Sequence, residues 1–278
     1  MKIFESPQLY VGGFFIPNMA LRNVKLTVTY DGTNYHGWQL QPGKRTIQAE
    51  LVNAVSELLG WRTRVTAASR TDAGVSAVGQ VAVMQIDSPI PSKNLAKAIT
   101  DRLPADIAVI EAVDVPLGFN VIGDAKCKLY RYSIFTGRAR PVFEIHHCWH
   151  LPEEKLDIPA MQQAAQLLVG QKDFKSFAAA DDHRTDSIRT IFRCDVYASS
   201  PDVSTQYAER STQDWLFIDV EGDKFLYNMV RNIVGTLVEV GVGRMKPEKI
   251  IEIIEAKNRR AAGPIAPPEG LCLMWIKY

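Results

Sequence analysis

The chain has 278 residues, 46% of them hydrophobic and 23% charged, the profile of a folded globular protein rather than a disordered one. No apolar run approaches the roughly 20 residues a membrane-spanning helix needs, which excludes that architecture. The formal charge of +1 argues mildly against nucleic-acid binding, but a basic face balanced by acids elsewhere gives the same sum.

Residues 1–21 form an extension ahead of the first clear strand. Glu5 and Pro17 interrupt its apolar character and no convincing cleavage site follows. A secretory signal is therefore not expected, and the protein is read as cytoplasmic. The run VKLTVTY (24–30) alternates apolar and polar residues and stops at Asp31-Gly32, which predicts a strand and a turn. After a Gly/Pro-rich loop, Ile47, Leu51, Val55 and Leu58 recur at helical spacing over 46–59, with Thr46 as candidate N-cap. Strands are expected at 64–69 and 80–87, flanking the loop RTDAGVSAVG. A helix over 92–102, with Ser92 as candidate cap, then leads to a strand at 107–115.

The second half follows the same style. A strand at 128–135 (KLYRYSIF) precedes a helix over 159–170 that ends at a glycine. Strands follow at 189–197 and 214–221. Residues 224–240 suit a buried helix because apolar side chains occupy most of its circumference. A helix over 247–256, with proline in its first turn, and a strand at 270–278 close the chain. The pattern is α+β around a largely antiparallel sheet. The expected organisation is the extension over 1–21, one α+β half over 22–123 and a second, similar half over 124–278, sharing one sheet with a central cleft. Four scattered cysteines without a CxxC pair point to reduced structural thiols.

The chemistry concentrates in the loop holding Ser69, Arg70, Thr71, Asp72, Ala73 and Gly74. A carboxylate on a tight bend beside glycine can be presented into a cleft. Asp-x-Gly is equally common as plain turn chemistry, and the loop alone does not separate the two readings.

The segment RTDAGVSAVGQV (70–81) resembles the signature of TruA-type tRNA pseudouridine synthases, and it does not stand alone. VTYDGTNYHGWQLQP (28–42), KLYRYSIF (128–135), LVGQKDFKSF (168–177), FLYNMVRNIVGTLVEVGVGR (225–244) and APPEGLCLMWIKY (266–278) resemble further segments of that family, in family order from about residue 23 to the end. The resemblance implies the pseudouridine synthase fold and the isomerisation of uridine in tRNA, at positions 38–40 of the anticodon stem-loop. It implies no cofactor, no metal and a homodimer. A base that reacts this way must first be flipped out of its stack.

By the same resemblance Asp72 is the catalytic carboxylate, acting as nucleophile or base, and Arg70 holds the place the nucleotide vacates. A guanidinium suits that task because it stacks on bases and bonds phosphates. Tyr130 matches the family's active-site tyrosine. Tyr132 shares its strand face, and only the resemblance selects between them, Tyr132 being read as core. Arg231 interrupts an apolar helix and needs an acid. The resemblance names Asp72, while Glu221 and Asp223 are the local alternatives.

Other features compete. HHCWH (146–150) places His146, Cys148 and His150 where a metal reading is conceivable, but no second ligand cluster accompanies it. Several positions depart from the family: Ser69 and Ser76 replace glycine and histidine, Leu40 an arginine, and Asn120, Ile122 and Ala178 a histidine and two arginines. Segment 179–188 carries Asp181 and Asp182 in place of less acidic residues. The expectation is retained chemistry with altered RNA recognition. The rival readings are a non-catalytic RNA-binding or chaperone protein and a metal enzyme built on HHCWH.

Overall fold

The computed structural model describes residues 21–152, 154–182, 184–198 and 214–278. The N-terminal extension, Leu21 apart, lies outside the described residues, as does His183 of the divergent segment. The strands are β1 (Arg22–Tyr30), β2 (Val65–Ala67), β3 (Ser76–Ile86), β4 (Ile107–Val115), β5 (Cys127–Phe135), β6 (Trp149–His150), β7 (Gly170–Asp173), β8 (Ile188–Ala198), β9 (Trp215–Gly222) and β10 (Leu271–Lys277). The helices are α1 (Ile47–Leu59), α2 (Ser92–Thr100), α3 (Ile158–Gln166), α4 (Met229–Gly241) and α5 (Lys249–Ala256).

All ten strands join one sheet, whose main path runs β4-β1-β3-β10-β5-β9-β8-β7. The fold is thus α+β with a mostly antiparallel sheet, as the sequence pattern predicts. Residues before 124 supply one end of the path and residues after it the other. They meet where β10 pairs in parallel with β3 through Cys272–Ser76 and Leu273–Ala77. Parallel pairing puts both strand beginnings at the same end of the sheet. The loop before β3 therefore lies beside the segment before β10, although some 200 residues separate them. Gly79 permits this approach, since a Cβ there would stand 2.5 Å from the Met274 carbonyl oxygen.

Several boundaries differ from the periodicity reading, each for a tertiary reason. β3 starts at Ser76 rather than at 80 because its first residues are claimed by β10. α4 starts at Met229 rather than at 224, since Asn228 adopts the left-handed conformation (φ 59°) and leaves 224–228 as a turn. α3 ends at Gln166, and Gly170 (φ +104°) is not its cap but opens the short polar edge strand β7, which alternation did not reveal. Thr46 does cap α1, accepting from the Ala49 amide at 3.4 Å. Ser92 does not cap α2. Its hydroxyl binds Arg22 and Asp114, each at 2.7 Å, and so ties α2 to β1 and β4.

α4 is buried over eleven of its thirteen residues, as a helix apolar on all sides must be. It packs tightly against the chain leading into β10. A Cβ on Gly235 would sit 1.8 Å from the Pro264 carbonyl oxygen. Alanine gains about 1 kcal/mol over glycine inside a helix, but forcing a methyl into backbone costs up to about 3 kcal/mol. Gly235→Ala is therefore expected to destabilise the fold by about 2 kcal/mol, read as a lower denaturant midpoint at unchanged slope. An unchanged midpoint would show that α4 and the 263–266 segment are not in this contact.

Candidate active site

A cavity of about 870 Å³ opens at the end of the sheet where β3 and β10 begin. One wall is the loop of residues 68–75, which is bolted down on several sides. The Trp38 amide donates to the Thr71 carbonyl at 3.0 Å, and the Gly74 amide to that of Tyr35 at 3.3 Å. The buried Tyr30 hydroxyl meets Thr71 Oγ1 at 2.8 Å, and Gln80 Nε2 donates to the Ser69 carbonyl at 2.8 Å. Gly37, at φ +82°, lets the 32–42 loop slide beneath, where a Cβ would be 2.5 Å from the Thr71 oxygen. A bend anchored this way holds its side chains in one geometry rather than sampling several.

Asp72 projects from that bend into the cavity with its side chain 24% exposed. Its Oδ2 lies 3.4 Å from Nη1 of Arg231 on α4. The guanidinium is itself oriented. Its Nε donates to the Ala266 carbonyl at 2.8 Å and its Nη1 to Asn228 Oδ1 at 3.2 Å, the left-handed turn at Asn228 delivering that group. Burial pushes the Asp72 carboxyl above the usual carboxylate range and Arg231 pulls it partway back. The alternative partners of Arg231 are engaged elsewhere: Glu221 faces Arg193 at 3.5 Å, and the Asp223 carboxylate accepts the Thr190 amide at 2.9 Å.

Tyr130 lines the same cavity from β5, buried, with Phe225 edge-on at 5.2 Å between ring centroids. Its hydroxyl shares a 2.9 Å hydrogen bond with Ser69, a residue noted above only as a departure from the family. Burial pushes the Tyr130 hydroxyl up to about 12, so it stays a phenol at neutral pH. Tyr132 is fully buried and donates to the Pro267 carbonyl at 2.8 Å, a core role as expected. Arg70 stands exposed on the cavity rim and pairs with no acid among the described residues. The structure thus brings Asp72, Arg70, Tyr130 and Arg231 to one place.

Sequence reasoning missed Lys128, Arg184, Arg189, Lys224, Phe225, Asn228 and Leu271, all of which line the cavity. Lys128 shares the strand face of Tyr130, and a lysine on a face otherwise apolar was the available signal. Of the lining residues Arg70, Lys128, Arg184, Arg189, Lys224 and Arg231 are cationic, and Asp72 is the one acid among those described. The near-zero total charge conceals a strongly basic cleft.

The departures fall in different places. Ser76 accepts the Gly32 amide at 3.0 Å, Asn120 closes a local turn onto the Ile122 and Gly123 amides, and Ala178 is buried. Leu40 is exposed, and Ile122 lines the cavity mouth. Asp182 is buried, and its carboxylate grips the Arg184 guanidinium (2.6 and 2.9 Å) and accepts the Tyr227 amide at 3.3 Å. That grip holds its pKa far below the usual range. In HHCWH, His150 Nε2 lies 2.9 Å from the Gly137 oxygen while Cys148 is buried and His146 exposed. No three potential ligands converge there among the described residues.

A family model described as tRNA pseudouridine synthase matches residues 26–122 and 164–278. A protein called "tRNA pseudouridine synthase A" from Thermoanaerobacter sp. (strain X514) is 39% identical over 93% of this chain and 100% of its own length. Its namesake from Acetivibrio thermocellus is 40% identical over 93% of this chain and all of its own length. The one from Geobacillus kaustophilus is 40% identical over 92% of this chain and 95% of its own. Among solved structures, a chain of a Cbf5-Nop10-Gar1 complex aligns over 77% of this chain and 54% of its own, at 13% identity and a TM-score of 0.30, a likeness too slight to argue from.

With Arg231→Met only desolvation acts on Asp72, so the carboxyl should titrate at higher pH than in the unaltered protein. Carbon-13 NMR of the aspartate side chains reads this directly. An unmoved or lowered midpoint would mean the guanidinium does not act on Asp72.

Proposed function

Because the chain belongs to the tRNA pseudouridine synthase family, we propose that it isomerises uridine to pseudouridine in tRNA, with Asp72 as the reactive carboxylate and the anticodon stem-loop, at positions 38–40, as the target. The observation that carries the reading is the isolation of Asp72: the one described acid of the cavity lining, paired to an oriented arginine, with a buried tyrosine in the same cavity and Lys or Arg at every other charged lining position.

The reaction is internally balanced. The bond from the sugar to the base nitrogen breaks, a bond from the same sugar carbon to C5 of the base forms, C5 loses its proton and the nitrogen gains one. The enzyme must therefore hold a detached base beside its sugar and move protons, and nothing is oxidised or hydrolysed. A cavity of about 870 Å³ lies within the range of small-molecule sites and admits a nucleotide turned out of its stem. Asp72, kept ionised by Arg231, starts the reaction at the sugar or base. Tyr130 packs against the uracil, and its protonated hydroxyl, hydrogen-bonded to Ser69, stands near the carbon that must lose its proton. Arg70, exposed on the rim, fills the gap left in the stem. The anticodon target rests on the ordered resemblance to TruA-type enzymes alone, while the relatives named tRNA pseudouridine synthase A support tRNA as the substrate.

The raised carboxyl of Asp72 carries a linkage consequence. A folded-state pKa above the unfolded one means the folded protein binds more protons, so this group subtracts stability as pH rises from the ordinary carboxylate value through the raised one. Asp72→Asn removes that cost, and the variant is expected to fold.

Asp72→Asn and Asp72→Ala should lose at least about 10³-fold in tritium release from tRNA labelled at C5 of uridine, with thermal unfolding still cooperative. Pseudouridine at positions 38–40 should vanish from the tRNA of a deletion strain. A folded Asp72 variant that still forms pseudouridine overturns the assignment. An inactive wild-type protein that binds tRNA would instead leave the non-catalytic RNA-binding reading.

A further inference from the structure

The cations of the cavity are not equally compensated. Arg231 meets Asp72 and Arg184 meets Asp182. Lys128 is only 6% exposed, yet its ammonium has a single acceptor, the Ala68 carbonyl at 2.8 Å. An ammonium carries three N–H donors, so two are uncommitted, and no carboxylate lies within ion-pair distance among the described residues. Burying a charge without a counter-charge is expensive. The cost shows in its pKa, which burial, reinforced by neighbouring Lys224, lowers to about 8. Asp223 opposes this from a distance, but its carboxylate is occupied by the amides of Thr190 and Lys224.

A second buried cation lines the same cavity. Arg189, 7% exposed, donates to the Ile188 and Asp186 carbonyls and lies 3.4 Å from the exposed Asp186 carboxylate. Its Nε is buried with no acceptor at all. Lys224, on the turn between β9 and α4, adds an exposed ammonium. Three cations thus line one cavity, and among the described residues the exposed Asp186 beside Arg189 is the one carboxylate that pairs with any of them.

Resting on the reading of this cavity as a uridine site in RNA, we propose that Lys128, Arg189 and Lys224 form a subsite for one backbone phosphate flanking the flipped nucleotide. Phosphate is the anion that every RNA nucleotide supplies, and it accepts several hydrogen bonds at once. Lys128 stands two residues from Tyr130 on the same strand face, about 7 Å along β5, the scale of one nucleotide. The ring takes the base while the ammonium holds the chain beside it. Because Lys128 also binds the carbonyl of Ala68, just ahead of the loop bearing Asp72, phosphate binding would press on the reactive loop itself.

The test is the salt dependence of tRNA affinity in an Asp72→Asn background, where no turnover intervenes. Each lost phosphate contact should flatten the slope of log K against log salt by roughly 0.7–0.9. Lys128→Met and Lys224→Ala should each do so, and Lys128→Arg should restore the slope. In otherwise unaltered enzyme both should raise KM more than they lower kcat. A residue that is only a strut would lower melting temperature and leave the slope alone. Should Lys128→Met fail to fold, Lys224→Ala carries the test, being exposed. Unchanged slopes in the folded variants overturn the subsite while leaving the synthase reading intact. Flattened slopes with a wild-type protein that never converts uridine support the subsite and sink the synthase reading alone.

Discussion

One guanidinium couples the loop before β3 to the segment before β10. Arg231 sits on a helix too buried to carry an unpaired charge, and it is held by a carbonyl from the segment before β10, a side-chain amide from the turn before α4, and Asp72 from the loop before β3. Asn228 is a neighbour in the chain, but Ala266 and Asp72 come from distant parts of it. They meet because β10 inserts between β3 and β5 and runs parallel to β3, bringing two loops to a single end of the sheet. The fold is in this sense a device for bringing one acid to one arginine.

The electrostatics follow from that placement. A carboxylate in a partly dry cavity resists ionising, and a close cation restores the charged form. The same cavity concentrates positive charge around its single described acid, a field that attracts polyanions, while Arg231 opposes the desolvation that raises the Asp72 carboxyl. A chain with a formal charge of +1 achieves this by segregation, with acids such as Asp114 and Asp195 spent in ion pairs away from the cleft.

Much of this organisation was legible in the sequence where local physics decides it. α1 announced itself by apolar spacing and the Thr46 cap. β4 and β9 were visible as runs with strand character. What periodicity missed was fixed by partners far away in the chain. The first residues of β3 are strand because β10 and β1 lie beside them, and β7 is a glycine and three polar residues ordered by β8. The candidate site divides in the same way. Asp72, Tyr130, Arg70 and Arg231 were reached through motif resemblance, and Arg231 also through the oddity of a charge in an apolar helix. Lys128 offered the same oddity on β5 and was passed over beside two tyrosines. Arg184 and Lys224 look like ordinary surface cations until the sheet carries them to the cavity wall, and nothing local marks them. Ser69 is a departure from the family that the fold converts into a partner for Tyr130.

The central claim, that Asp72 meets a nucleotide turned out of its stem, is tested most directly by determining the structure of the protein bound to tRNA carrying 5-fluorouridine at the target position. Fluorine replaces the proton that must leave C5 and does not depart as a cation, so the complex stalls in place. The account predicts the fluorinated ring against Tyr130 and an Asp72 oxygen within about 3.5 Å of the reacting sugar or base. A fluorouridine still stacked in the RNA, with Asp72 facing only Arg231 and solvent, would contradict it.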